Sequence, residues 1–232
     1  SMDIRLKDNL NTYNDFKLLL PKTRKANNEI FISIFLKHLN FLSPNLFFTK
    51  IKMFGIENKY LFYENINKEF LERNNYIEGP VIRGDERFFF NETSKNIISA
   101  RLENPKWIKE NMKNELETSV EAITIANKAF IKNSIEKNYL NDPHLKFDYN
   151  LFEGNLFESK VKKFRLLLNA FGSYNSLSVN DIRLFYDPVY KKFDLIFNDG
   201  STTFLKIPEK INFSNISREE FDQINSLTKD ID

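Results

Sequence analysis

Apolar and polar residues alternate from Asp3 to Lys7, with Ile4 and Leu6 on one side, and this period of two predicts an opening strand. Phe16 to Leu20 is a second short apolar run, ended by Pro21. From Asn27 to Leu42 the spacing changes: Ile30, Phe31, Ile34, Phe35, Leu39 and Leu42 recur at helical intervals, and Ser43-Pro44 stops the helix. Phe47 to Phe54 and Lys59 to Glu64 read as paired strands around the turn Gly55-Ile56-Glu57-Asn58. A short helix over Lys68 to Arg73 and a strand over Val81 to Arg83 follow, separated by Glu78-Gly79-Pro80. The stretch from Ser94 to Asn104 follows neither period.

The second half of the chain is first helical, then extended. Lys106 to Leu140 is the longest helical stretch, with Val120, Ile123, Ala126, Phe130 and Ile135 as its apolar stripe, and Asn141-Asp142-Pro143 breaks it. Ser159 to Phe171 predicts another helix, with Val161, Phe164, Leu167, Leu168 and Phe171 inward and Gly172 as a C-cap. Asp181 to Tyr186 and Lys192 to Phe197 flank the turn Asp187-Pro188-Val189-Tyr190, so they predict a hairpin packed on that helix. Thr202 to Ile207 is a further candidate strand, and Ser217-Arg218-Glu219-Glu220 has the capping-box pattern of a C-terminal helix. Strands, helices and a late hairpin in this order predict an α+β fold without internal repeats.

Composition narrows the chemistry. The 232 residues carry 34 Lys plus Arg against 32 Asp plus Glu, a net charge of +2, and the two signs interleave along the chain. A nucleic-acid surface needs a concentrated basic face, so nucleic acid is not an expected partner. There is no cysteine, which removes disulfides, zinc-thiolate sites and thiol catalysis. His38 and His144 lack metal-ligand spacing, and His38 reads as a packing or cap residue of the first long helix. The 24 Phe, with many Asn and Lys, fit an AT-rich coding sequence better than a ligand site. No apolar run approaches the ~20 residues needed to cross a bilayer, and Ser1-Met2 reads as the remnant of a cleaved tag.

The residues richest in chemistry lie between Ser159 and Gly200. A helix ends at Phe171-Gly172, a polar loop runs from Ser173 to Asn180, and the second hairpin strand ends in Phe197-Asn198-Asp199-Gly200. An antiparallel hairpin brings Asp181 and Asp199 to the same end of its ribbon, where two carboxylates can share a metal ion. An Asp after a strand is also an ordinary turn former, and each of the two is consistent with that role alone.

Asn180-Asp181-Ile182-Arg183-Leu184-Phe185-Tyr186-Asp187-Pro188, followed by Phe193 to Gly200, resembles the catalytic hairpin of the CotH family, the spore-coat kinase-like proteins. Lys59 to Ile66, Phe70 to Asn74 and Glu78 to Ile82 are similar to that family's strand with a terminal Glu, its next short helix and the strand beyond. Phe16 to Arg24, with Leu20-Pro21-Lys22-Thr23-Arg24, resembles the lead-in to its first long helix. The resemblance implies a protein-kinase-like, two-lobed α+β fold. Residues 3–86 would form the N-lobe-like strands and first helix, and residues 87–232 a mostly helical C-lobe-like part with the hairpin at 181–199. It implies ATP with Mg or Mn as cofactor, and phosphotransfer to a hydroxyl of a protein or surface glycan at the cell envelope. Asp199 would be the metal-binding Asp, and Asp181 would take the second metal-ligand position, where the family has Asn; both are expected in catalysis. Glu64 would sit at the nucleotide edge, and Glu29 would pair with Arg5 or Lys7 on the opening strand. The loop from Ser173 to Asn180 contains no Asp, Glu or His to act as general base, and the family's phosphate-contacting Lys falls at or before Asp3, so the N-terminal edge reads as truncated. The implied domain is therefore catalytically weak or inactive, and the alternative is a non-catalytic binding or assembly module of a cell envelope or coat.

Overall fold

The computed structural model describes residues 2–10, 13–85, 98–105, 114–136 and 147–204. It is an α+β structure with two four-stranded antiparallel sheets and, among the described residues, four α-helices. The first sheet contains β1 (Met2–Leu10), β2 (Tyr13–Leu19), β3 (Leu46–Met53) and β4 (Ile56–Glu64), in the spatial order β1-β2-β4-β3. Its hairpin between β3 and β4 turns more tightly than the sequence suggests. Phe54 and Gly55 take φ values of 51° and 84°, so Met53 already pairs with Ile56. Positive φ at both central residues is the backbone twist that a two-residue hairpin requires.

The period of two along β2 and β4 gives this sheet two apolar faces. Phe16, Leu18, Tyr60 and Phe62 cluster on one face with Ile4 and Leu6. Leu19, Leu61 and Tyr63 point the other way, onto Ala26 and Ile30 of α1 (Ala26–His38). Further along α1, Ile32 and Leu36 are fully buried in the main core with Leu184, Tyr186 and Phe193. One helix thus packs on both sheets, and the site described below lies beside its first turn.

The second sheet contains β5 (Val81–Gly84), β6 (Ala100–Leu102), β7 (Arg183–Asp187) and β8 (Lys192–Ile196), ordered β6-β5-β7-β8. The short α2 (Lys68–Arg73) precedes β5, and the Asn67 side chain caps it by accepting from Phe70 N–H at 3.0 Å. Two longer helices, α3 (Asn114–Glu136) and α4 (Glu158–Ala170), complete the layer. Val161, Phe164 and Leu168 of α4 share the core with Leu184, Tyr186, Phe193 and Leu195, so the helix packs on the hairpin as expected. The pairing of β7 and β8 is also as expected, and Asp187 Oδ1 shapes the turn by accepting from Val189 N–H at 2.8 Å and Tyr190 N–H at 3.0 Å.

Several expectations are corrected. α1 ends at His38 rather than Leu42; Asn40 at φ 59° reverses the chain, and His38 is exposed rather than packed. On α3 Ala126 and Phe130 face inward as expected and Ile123 packs partly on the core, joined by Ser119, Ala122, Ala129 and Asn133, whereas Val120 and Ile135 are 53% and 71% exposed. Small residues let α3 approach Phe147 and Phe152 closely, and a pattern weighted to large apolar side chains passes over Ala122 and Ala129. Thr202 to Phe204 are not in a strand. The breaker at 141–143, His144, residues 205–207 and the capping box at 217–220 lie outside the described residues.

Candidate functional site

The open end of the β7–β8 hairpin is where chemistry-bearing residues gather. Arg183 pairs with Ile196 in the ladder, and beyond it Asn198 Nδ2 reaches the Asp181 carbonyl at 3.5 Å. Asp181 and Asn198 therefore face each other across the ribbon, and Asp199 follows at the same end. The carboxylates have different protein partners. Asp181 Oδ2 accepts from Ser178 Oγ at 3.3 Å, while Asp199 Oδ2 receives a short contact from the Arg24 guanidinium. Among the described residues no three acidic or histidine side chains converge as a ready-made cation cage.

The chain after β8 is held in an uncommon conformation. Asp199 and Ser201 have φ values of 43° and 49°, a region that costs L-residues energy and persists only when the surroundings over-determine it. Here they do. Tyr63 Oη accepts from Asp199 N–H at 2.9 Å and donates to Asn198 Oδ1 at 3.4 Å. Glu29 Oε2 accepts from Gly200 N–H at 3.2 Å and Oε1 from Thr202 N–H at 2.7 Å. Asn28 Nδ2 donates to the Thr202 carbonyl at 2.9 Å, and the Ser173 and Thr202 hydroxyls meet at 2.6 Å. Gly200 has no room for a side chain, since a Cβ would lie 2.8 Å from the Phe197 ring. Burial raises the Glu29 carboxyl above its ordinary value; the Thr202 and Gly200 donors oppose this, and the Asp199 charge adds a smaller upward push. Burial also raises the Tyr63 hydroxyl, which keeps it a neutral donor and acceptor.

A cleft of about 570 Å³ opens between the first sheet and this end of the hairpin. Lys17, Tyr63, Asn65, Glu103, Arg183 and Asn198 are among its lining residues. Its charges are unevenly matched. Arg5 pairs with Asp15 at 3.0 Å, and Lys68 with Glu78 at 2.6 Å. At the hairpin end, Glu103 meets Arg83 at 3.2 Å and also feels Arg183 and Lys17. Burial alone would raise the Glu103 carboxyl, but the Arg183 and Arg83 charges, with Lys17, hold it below its ordinary value. Arg183 Nη1 donates to the Asp181 and Ile182 carbonyls at 3.0 and 3.1 Å, which fixes the guanidinium at the cleft floor. Arg83, Arg183 and Lys17 thus surround Glu103 at this corner, although over the whole cleft the acids Asp15, Glu64, Glu69, Glu78 and Glu103 face the bases Arg5, Lys17, Lys68 and Arg183.

The expected site residues fall into three places. Asp181 and Asp199 share the hairpin end. Glu29 lies beside them, but its partners are the Gly200 and Thr202 amides; it does not make the expected pair with the opening strand, because Arg5 is engaged by Asp15 and Lys7 is exposed on β1. Glu64 lines the cleft yet is 1% exposed, and it is bound by Arg73 Nε at 2.8 Å and Asn45 N–H at 2.6 Å. Sequence reasoning did not single out Lys17, Arg24, Tyr63, Arg183 or Asn198. Lys17, Tyr63 and Arg183 sit inside strand patterns, where they read as ladder residues; only the sheet packing turns them into the cleft. A scan against protein-family models gave no match, and a search of curated proteins gave none.

Proposed function

We propose that this chain is a kinase-like phosphotransferase domain of the CotH type, with a two-lobed arrangement and a nucleotide in the cleft between the first sheet and the hairpin. The observation that carries the reading is a cleft lined by Lys17, Arg183 and Asn198, with Asp199 directly following Asn198 in the chain though not itself among the lining residues. Phosphoryl transfer asks a protein mainly to position phosphates and neutralise their charge. Lys17 on β2 would then take the phosphate-contacting role that the sequence resemblance places at or before Asp3. The carboxylates of Asp199 and Asp181 and the Asn198 amide are hard oxygen donors of the kind magnesium or manganese prefers, and they would hold such an ion. Such an ion would neutralise charge on the transferring group. To bind Asp199 such an ion would have to displace the Arg24 guanidinium.

The acceptor in this reading is a hydroxyl of a protein or surface glycan, at the cell envelope. Turnover is slow or absent, because no acid or imidazole stands between Ser173 and Asn180 and general-base assistance is worth ~10²–10⁴-fold. One observation favours the second reading, a non-catalytic binding or assembly module. The three serines nearest that position are all engaged: Ser173 with Thr202, Ser176 with the Asn198 carbonyl, and Ser178 with the Asn175 carbonyl at 2.7 Å. The test is thermal unfolding with ATP, with and without magnesium or manganese, followed by transfer from labelled ATP to a generic acceptor beside Asp199→Ala. A ligand at a hundred times its dissociation constant stabilises by ~2.7 kcal/mol. Metal-dependent stabilisation that Asp199→Ala removes supports the kinase-like reading, and no shift with any nucleotide sinks it.

A further inference from the structure

We propose that Asn28 and Glu29 form a backbone clamp that aims Asp199, making Glu29 a positioning residue of the metal–nucleotide site; this rests on the kinase-like reading above. The two consecutive side chains on the first turn of α1 take both backbone polar groups of Thr202, Glu29 its N–H at 2.7 Å and Asn28 its carbonyl at 2.9 Å. Glu29 also takes Gly200 N–H at 3.2 Å, so one carboxylate spans the residues on either side of Ser201. Tyr63 Oη holds Asp199 N–H from the other side at 2.9 Å. The backbone on both sides of the Asp199 side chain is thus fixed by groups that do not touch its carboxylate. That carboxylate is 26% exposed and its partner Arg24 is 39% exposed, so the pair is open to exchange for a cation, whereas Glu29 is 2% exposed.

The clamp needs a carboxylate. An amide at position 29 keeps one acceptor oxygen but turns an NH₂ group toward the second backbone N–H, and two donors repel. Protonation of Glu29 has a related effect, since one oxygen then becomes a hydroxyl. The charged and titratable groups around Glu29 are Asp199 from the loop, Tyr63 from β4, Arg24 through its pair with Asp199, and Arg183, which interacts with Tyr63 from β7. The helix that carries the clamp is anchored in the main core by Ile32 and Leu36 and on the first sheet through Ala26. Any shift of α1 relative to the hairpin is therefore delivered to Asp199 through Asn28 and Glu29.

The experiment uses the full chain with MnCl₂ and ATP as probes, in the wild type, Glu29→Gln and Asp199→Asn. The first readout is the backbone amide shifts of Gly200 and Thr202 against pH without ligand. Both should follow one titration, above the ordinary carboxylate value, that disappears in Glu29→Gln. The second is manganese affinity in the presence of ATP, which should fall about tenfold in Glu29→Gln, the equivalent of one charge-assisted hydrogen bond, and be lost in Asp199→Asn. Unchanged manganese affinity in a folded Glu29→Gln variant overturns the clamp and leaves the kinase-like reading standing. Amides of Gly200 and Thr202 that ignore the Glu29 titration overturn it as well. Failure of the wild type to bind manganese with ATP removes the kinase-like reading itself, and with it the role of Glu29 in metal binding.

Discussion

Replacing Arg73 by Met should be among the more damaging single changes on the surface of this protein. Arg73 is 23% exposed, but its partner Glu64 is 1% exposed at the end of β4. The guanidinium binds Glu64 Oε1 through Nε at 2.8 Å and more closely through Nη2, and it lies 4.5 Å over the Tyr13 ring. Removing one partner of a buried pair costs ~3–5 kcal/mol, mostly the penalty of the charge left behind. Two features favour the lower end of that range: Asn45 N–H still serves Oε2 at 2.6 Å, and the Lys37 ammonium is close enough to interact with Glu64. Loss of the cation–π contact adds ~0.5–1 kcal/mol. We expect a total of ~3.5–4 kcal/mol by urea denaturation at pH 7. In a Glu64→Gln background no buried charge is stranded, so the same Arg73→Met change should cost only ~1 kcal/mol, the lost stacking and packing. A loss below ~1 kcal/mol in the wild-type background, or an equal loss in both, would refute the buried-pair argument. The same variants test the nucleotide-edge expectation for Glu64. If Glu64→Gln folds with full stability but loses ATP binding, the carboxylate serves the ligand and not the fold.

Gly84→Ala should destabilise even though its backbone does not require glycine, because a Cβ there would lie 2.2 Å from the Val179 carbonyl oxygen, and backbone cannot swing away. Overpacking costs ~1–3 kcal/mol, and the stiffer unfolded chain returns ~0.4–1 kcal/mol, so a net loss near ~1–2 kcal/mol in chemical denaturation is expected; an unchanged or higher midpoint would show that β5 does not press on the segment leading to Asp181. For Glu103, the folded carboxyl lies below its ordinary 4.5. Its contribution is therefore present above that value and is lost as pH falls through the folded value. Glu103→Gln should be less stable than wild type at pH 7, and the gap should close in acid; a gap independent of pH would mean that Arg83 and Arg183 do not act on it electrostatically.

The local grammar of the chain is largely legible without coordinates. The helix over Lys68 to Arg73, the helix before Gly172 and the hairpin around Asp187-Pro188 form where period, cap and turn chemistry agree, since each is decided by residues a few positions apart. The α+β class follows from their order. The inward face of α3 is legible only in part: Ala126 and Phe130 follow from the period, whereas Ala122 and Ala129 are selected by how closely Phe147 and Phe152 approach. The placement of Asp181 and Asp199 at one end of the ribbon was readable, as hairpin geometry is itself local. Their surroundings were not. Glu29 is 171 positions from Gly200, Tyr63 is 136 from Asp199 and Arg24 is 175 from Asp199. No periodicity links residues so far apart; α1 joins them by packing its first turn on one sheet and its middle on the core of the other. That packing places Tyr63 and Glu29 around the Asp199 backbone, and it gives Lys17 and Arg183 a common cleft.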